Sequence, residues 1–275
     1  SRLISSQKPL FRNSPLPIDL FTFPLIMPTP ILELDDVSVD FDGFFALTDL
    51  SLALYPGELR SIIGPNGAGK TTFLDVITGK VKPTKGSVSL RGQSILGLSE
   101  QKISRLGVGR KFQTPRVFEN LSVLRNLEFA ASPSKSPFKL MFESLTSVVK
   151  DEVHRIMDYV GLAPYAKVDA GSLSHGQKQW LAISMLVAQA PDVILLDEPV
   201  AGLTDEETAR TAELIKSLAG DHTVVVIEHD MEFIRDLGAP VTVLHQGQLL
   251  TQGMIDDVKQ DPRVIEVYLG QSDDG

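Results

Sequence analysis

The sequence predicts an α/β fold with a mixed sheet, an antiparallel β subdomain and an inserted helical subdomain. Short alternating stretches such as ILELDDVSV and GSVSLRG follow residue 31 and are typical of half-buried antiparallel strands. Residues 114–190 instead carry helical spacing, as in SVVKDEVHRIMDYVGL. After residue 190 strands and helices alternate, which predicts a parallel sheet with a site at the carboxyl ends of its strands.

The chain divides into one large domain and two short terminal segments. Residues 1–30 are rich in proline and serine and show no regular hydrophobic period, so we expect a poorly ordered N-terminal extension. Residues 31–270 form the predicted single domain, in which the helical subdomain covers about 114–190. Residues 271–275 are the expected tail.

Composition excludes several kinds of site. The 275 residues include no cysteine, which excludes disulfides, thiolate catalysis and cysteine-bound metals. The net charge of −9 disfavours a broad nucleic-acid surface, and we expect no nucleic-acid partner. No apolar run is long enough to span a bilayer, because two acids and four prolines interrupt residues 16–34.

The stretch GPNGAGKTT predicts a phosphate-binding loop. It matches the P-loop pattern G-x-x-x-x-G-K-[ST], follows the apolar strand LRSIIG and precedes a predicted helix. In such a loop backbone N–H groups surround phosphate oxygens, the lysine reaches the β- and γ-phosphates, and the threonine holds Mg²⁺. The predicted nucleotide-binding residues are Gly64, Pro65, Asn66, Gly67, Ala68, Gly69, Lys70, Thr71 and Thr72, with Thr71 also a metal ligand.

Polar residues end two further predicted strands. In VILLDEP, Asp197 is placed to hold Mg²⁺ and Glu198 to polarise the attacking water. His229 follows the strand TVVVI at the same predicted sheet edge. Ser174 in LSHGQ is predicted to cap a helix, with Gln177 completing a capping box, and a helix start beside a glycine can also bind phosphate. A second capping box, Thr204 with Glu207, is predicted at the start of TDEETARTAELIKSLAG.

Taken together, these motifs resemble the ATP-binding subunits of ABC transporters over residues 31–270. The order is the P-loop or Walker A motif, a Q-loop glutamine at Gln113, the signature LSHGQ, the Walker B strand and a switch histidine at His229. The signature is the most specific of these features, since most other P-loop families lack it. One departure is His175, which stands where the usual signature has glycine.

The resemblance implies a set of roles for the aligned residues. ATP and Mg²⁺ are the expected ligands. Phe41 would stack on adenine, and Gln113 would contact both the metal and the attacking water. Ser174, Gly176 and Gln177 would close on the nucleotide of a second ATPase subunit in a head-to-tail dimer. The implied catalytic residues are Glu198, His229 and Gln113, and the implied metal ligands are Thr71, Gln113 and Asp197.

The resemblance also implies partners and a location. The ATPase would drive a transmembrane permease, work indirectly with a periplasmic or extracellular solute-binding protein, and lie peripherally on the cytoplasmic face of the cell membrane. The segments DEPVAGLTDEET, VIEHDMEFI and DPRVIEVYLG resemble the subgroup that imports branched-chain amino acids and amides. Within that subgroup LSHGQKQWL and PVAGLTDEET are most similar to urea importers, so urea is the expected solute. The alternatives are an importer of branched-chain amino acids or other amides, a non-transport ABC ATPase, and a nucleotide-binding module without turnover.

Overall fold

Ten strands in the described part of the chain form two separate sheets. The computed structural model describes residues 29–111, 116–132 and 146–269. The strands are β1 (Leu32–Phe41), β2 (Phe44–Leu54), β3 (Leu59–Ile63), β4 (Lys85–Leu90), β5 (Gln93–Ser94), β6 (Val108–Lys111), β7 (Val193–Asp197), β8 (Thr223–Ile227), β9 (Val241–His245) and β10 (Gln248–Gly253).

The first sheet is antiparallel, in the order β2-β1-β4-β5. At the start of β1, buried Leu32 and Leu34 alternate with exposed Glu33 and Asp35, the period expected of a strand with one wet face. The predicted antiparallel segment is therefore confirmed.

The second sheet is mixed, in the order β10-β9-β3-β8-β7-β6. All its neighbouring strands are parallel except β9 and β10, which are antiparallel. Strands β7 and β8 are almost entirely apolar, and the side chains of β8 are buried throughout. Such runs suit a sheet covered on both faces, and they deliver the polar residues that follow them to one edge.

The described helices pack around these sheets. They are α1 (Lys70–Ile77), α2 (Glu100–Arg105), α3 (Val123–Ala131), α4 (Ser147–Tyr159), α5 (His175–Val187), α6 (Asp205–Leu218), α7 (Met231–Leu237), α8 (Ile255–Val258) and α9 (Pro262–Leu269). Helices α3, α4 and α5 fall within 114–190, as the spacing predicts, whereas the boundaries of a helical subdomain stay a prediction. In the described ranges no helix is both long and apolar enough to cross a membrane.

Two capping boxes set the starts of α5 and α6, and both are confirmed. Ser174 and Gln177 exchange side-chain and backbone hydrogen bonds at the start of α5, and Thr204 and Glu207 do the same for α6. The two helices also contact each other through Trp180, the only tryptophan of the chain. Its indole Nε1 donates to Thr211 Oγ1 at 3.0 Å, and the Arg210 guanidinium lies 4.4 Å from the ring centroid.

Candidate functional site

The glycine loop links the end of β3 to the start of α1. Gly69 precedes α1 with a left-handed φ of 99° and has no side chain with which to cap the helix. A Cβ at this position would lie 2.6 Å from the carbonyl oxygen of Ala46 in β2, so both the conformation and the space require glycine. No side chain caps the first N–H groups of α1, and its first turn contains no acidic residue. Free N–H groups at a helix start of this kind suit a bound anion.

Lys70 folds back over the loop that precedes it. Its ammonium donates to the carbonyl oxygens of Gly64 and Pro65, the second at 3.0 Å. Burial lowers the pKa of Lys70, while the nearby carboxylates of Glu198 and Asp197 act to raise it. The predicted P-loop lysine and the two predicted Walker B acids thus lie in one electrostatic neighbourhood.

The carboxyl end of β7 carries both predicted Walker B residues. Asp197 is the last residue of β7 and pairs in register with Ile227 of β8. Glu198 follows with a φ of 44°, a left-handed conformation uncommon for a residue with a side chain. Its backbone N–H donates to Ile227 O at 2.9 Å, which holds the residue in this conformation beside β8.

His229 completes this edge of the sheet. Its Nδ1 lies 3.8 Å from Glu198 Oε1 and 3.7 Å from Glu228 Oε2, and its side chain is 71% exposed. The structure therefore brings together Lys70, Asp197, Glu198 and His229, as the predicted parallel sheet requires. Its described ranges contain no cluster of three or more His, Asp or Glu side chains that could form a protein-only metal cage.

The donor set fits Mg²⁺ nonetheless. This ion is usually bound by one or two protein oxygens together with substrate phosphates and water. An exposed Thr71 hydroxyl in the first turn of α1 and the Asp197 carboxylate supply oxygens of that kind. Gln113, the third predicted ligand, lies outside the described residues.

Two buried charged residues near this edge were missed from the sequence. Glu228 is 1% exposed and accepts hydrogen bonds from the backbone N–H groups of Val200 and His229, each at 3.1 Å. Burial raises the pKa of its carboxyl group, an effect that these hydrogen bonds oppose. The sequence signal that could have identified Glu228 is its position between an apolar strand and the candidate His229.

Lys111 is the second missed residue. It ends β6, is 4% exposed, and burial lowers its pKa to about 8 despite the carboxylates of Asp197, Glu228 and Glu198. The short strand VGRK has no alternating pattern that would have marked it. These two residues add a buried carboxylate and a buried amine beneath the predicted catalytic groups.

The predicted signature residues lie at the start of α5 and face the start of α6. His175 Nε2 is 3.1 Å from the carbonyl oxygen of Ala201. A Cβ at Gly176 would lie 2.2 Å from Glu207 Oε1, so this glycine lets α5 pack against the capping box of α6. Ser174 is exposed, and its Oγ accepts from the backbone N–H of Gln177 while its own N–H donates to Gln177 Oε1.

Phe41 lies at the tip of the β1–β2 hairpin with its side chain 48% exposed. Phe44 and Phe45 at the start of β2 are also exposed, and they were not singled out from the sequence. The following residues, Ala46 and Leu47, lie against Gly69, which places this aromatic hairpin beside the phosphate-binding loop. An exposed ring there can stack on a base.

Comparison with known proteins decides the family. The model of the family described as "ABC transporter" matches residues 47–201, more than half of the chain. The chain belongs to the ABC transporter family. The high-affinity branched-chain amino acid transport ATP-binding protein LivG of Escherichia coli K12 is 36% identical over 258 residues, which cover 90% of this chain and 100% of LivG.

Solved ABC cassettes share the fold. The ADP conformation of MJ1267, an ATP-binding cassette of an ABC transporter, matches with a TM-score of 0.76 and 28% identity, covering 88% of this chain and 99% of that one. The dimeric post-hydrolysis structure of the cassette MJ0796, bound to ADP and phosphate, matches with a TM-score of 0.68 and 25% identity, covering 82% and 98%.

This ABC protein is therefore an ATPase with the cassette fold, as predicted from the motifs. The roles assigned to individual residues remain predictions. So does urea as the solute, because the relative reported above is named for branched-chain amino acids.

Proposed function

We propose that this chain is the ATP-hydrolysing subunit of an importer for branched-chain amino acids. The observation that carries the proposal is the convergence of Lys70, Asp197, Glu198 and His229 at one sheet edge beside the glycine loop. Similarity to LivG over nearly the whole chain supports the solute class. Urea is the second candidate, supported by the segments LSHGQKQWL and PVAGLTDEET.

The residues at the sheet edge would have different roles in ATP hydrolysis. Lys70 and the N–H groups at the start of α1 would bind phosphate oxygens. Glu198 would orient and activate a water, since its carboxylate is partly exposed beside His229. His229 would contact the γ-phosphate, and Gln113 would also reach the water.

Mg²⁺ would be held by Thr71, Asp197 and Gln113, and it would supply neutralisation of phosphate charge. Phe41 would stack on the adenine from the hairpin beside the loop. Since little covalent chemistry falls to the protein in phosphoryl transfer, these residues would act by positioning and charge.

The signature residues would act across a head-to-tail dimer. The start of α5 contacts Ala201 and Glu207 of the same subunit and leaves Ser174 exposed. A facing subunit could present its nucleotide to Ser174, Gly176 and Gln177 at this helix start. The dimeric structure of the similar cassette MJ0796 supports the pairing of two subunits. The second subunit would be another copy or a paralogue.

The remaining partners follow from an importer role. A transmembrane permease would hold the ATPase peripherally at the cytoplasmic face of the membrane, and a periplasmic or extracellular solute-binding protein would deliver the solute indirectly. Nucleic acid is not among the proposed partners, in keeping with the net charge of −9.

Uptake measurements would test the solute. Cells that express the chain with its native permease and binding protein are expected to accumulate labelled leucine, and cells expressing Glu198→Gln are expected to lose that uptake. Labelled urea, offered to the same cells, is expected to stay at the background level. Glu198-dependent uptake of urea without leucine would instead establish the second candidate.

The ATPase assignment has its own test. Purified Glu198→Gln protein is expected to bind ATP, accumulate as an ATP-dependent dimer and hydrolyse at least a hundredfold more slowly than the wild type. Size-exclusion chromatography with and without ATP measures the first two properties. Near-normal ATP turnover in Glu198→Gln would show that Glu198 is not a catalytic residue.

A further inference from the structure

Arg110 connects the helix that follows the glycine loop to the end of strand β7. Its Nη1 donates to Asp75 Oδ1 of α1 at 2.5 Å, and its Nη2 donates to Asp197 Oδ2 at 2.9 Å. One guanidinium thus contacts two carboxylates that belong to the two elements of the predicted phosphate and metal site.

The local geometry fixes this side chain. Arg110 lies in β6 opposite Leu195 of β7, and Asp197 lies two residues further along the same strand face. The Arg110 side chain is only 6% exposed, and those of Asp75 and Asp197 are 11% and 16% exposed. A planar guanidinium with fixed donor directions restricts such partners more than an ammonium would.

We propose that Arg110 is a positioning residue for the Asp197 carboxylate and thereby for divalent-metal binding. The inference rests on the proposed metal role of Asp197. Arg110 donates to Asp197 Oδ2 and so fixes the orientation of the carboxylate. The direction of the other oxygen, Oδ1, is fixed as a result. Groups that hydrogen-bond a metal-binding carboxylate raise metal affinity by orienting it, and their loss typically costs 10–100-fold.

A competing effect of Arg110 has the opposite sign. A guanidinium 2.9 Å from Asp197 also cancels part of the charge that attracts a cation, so its removal could strengthen metal binding. Arg110→Gln removes the charge and the fork together, so the sign of its effect shows which one dominates, and Arg110→Lys, which keeps the charge, separates the two. Asp75 keeps a counter-ion in this variant, since Lys80 Nζ lies 3.0 Å from Asp75 Oδ2.

Mn²⁺ binding to the ADP-loaded protein, followed by electron paramagnetic resonance, tests the proposal. Arg110→Gln is expected to raise the Mn²⁺ dissociation constant about tenfold, with metal-free ADP affinity changed less than twofold. Arg110→Lys, which keeps the charge but cannot fork to both carboxylates, is expected to fall between the wild type and the glutamine variant. An unchanged or lower dissociation constant in Arg110→Gln would overturn the proposal.

Two control variants separate the possible failures. Arg60→Gln removes a similarly buried strand arginine that pairs with Glu58 near the amino end of β3, and it is expected to leave Mn²⁺ binding unchanged. Asp197→Asn is expected to weaken Mn²⁺ binding. If Asp197→Asn leaves Mn²⁺ binding unchanged, the proposed metal role of Asp197 is wrong. If Asp197→Asn weakens Mn²⁺ binding and Arg110→Gln does not, only the positioning role of Arg110 is wrong. Should Arg110→Gln not fold, wild-type Mn²⁺ affinity in Arg110→Lys would overturn it.

Discussion

Replacing Glu228 by alanine should destabilise the protein substantially, although this residue carries none of the predicted catalytic roles. The carboxylate is 1% exposed and accepts N–H bonds from Val200, just after β7, and from His229, just after β8. It therefore joins the two strand ends that present Glu198 and His229. Alanine would leave the buried N–H of Val200 without its acceptor.

The magnitude follows from the bonds lost. A hydrogen bond to a charged group contributes about 1.5–3 kcal/mol, and the cost of burying the carboxylate favours the lower end, so two bonds give about 3 kcal/mol for Glu228→Ala. Glu228→Gln keeps one acceptor oxygen and should lose about 1.5 kcal/mol by the same reasoning. ATP turnover should fall more in the alanine variant, because the backbone of His229 loses its anchor.

Urea-induced unfolding provides the assay, with the midpoint and the slope measured together. Glu213→Ala is the matched control, since the side chain of Glu213 is 73% exposed on α6, and its stability should change by less than about 0.5 kcal/mol. A loss below about 1 kcal/mol in Glu228→Ala, or equal losses in the alanine and glutamine variants, would refute the reasoning.

Three further predictions concern the same region. Burial lowers the pKa of Lys111 from 10.5 to about 8, so between these pH values the unfolded chain binds more protons than the folded chain. The free energy of unfolding should therefore rise with pH across this window, by up to about 3 kcal/mol. Lys111→Met should abolish that rise. His175→Ala should cost about 1 kcal/mol, because the bond of this exposed side chain to the carbonyl oxygen of Ala201 is lost, while ATP affinity stays unchanged in calorimetry. Lys70→Ala should lose at least tenfold in ATP affinity, because a half-buried cation beside the loop is removed.

Each of these has a contradicting result. An unchanged pH slope in Lys111→Met would assign the slope to other groups. A large loss of ATP affinity in His175→Ala would place the imidazole in the subunit's own nucleotide site. Unchanged nucleotide binding in Lys70→Ala would count against the P-loop assignment.

The local features were predictable because each is encoded in a few adjacent residues. The glycine loop, the boxes at Ser174 and Thr204 and the polar ends of β7 and β8 depend on spacing along the chain, and the parallel sheet then brings the strand ends together. The family resemblance rested on the order of these same short motifs.

The supporting contacts were not predictable in the same way. Arg110 and Asp197 are 87 positions apart, and their pairing depends on β6 lying beside β7. The segment VGRK has neither a strand period nor a known motif, so its sequence does not predict that its arginine and lysine are buried. The intrasubunit packing of Gly176 on Glu207 likewise required the relative placement of two helices.

Trp180 gives this protein an intrinsic optical reporter. It is the only tryptophan, it lies on the helix that begins with the signature, and its indole touches Thr211 and Arg210 of α6. Its fluorescence therefore originates from a single junction, between the signature helix and the helix that follows the Walker B strand. Movement at that junction during a catalytic cycle can be followed in the unlabelled wild-type chain.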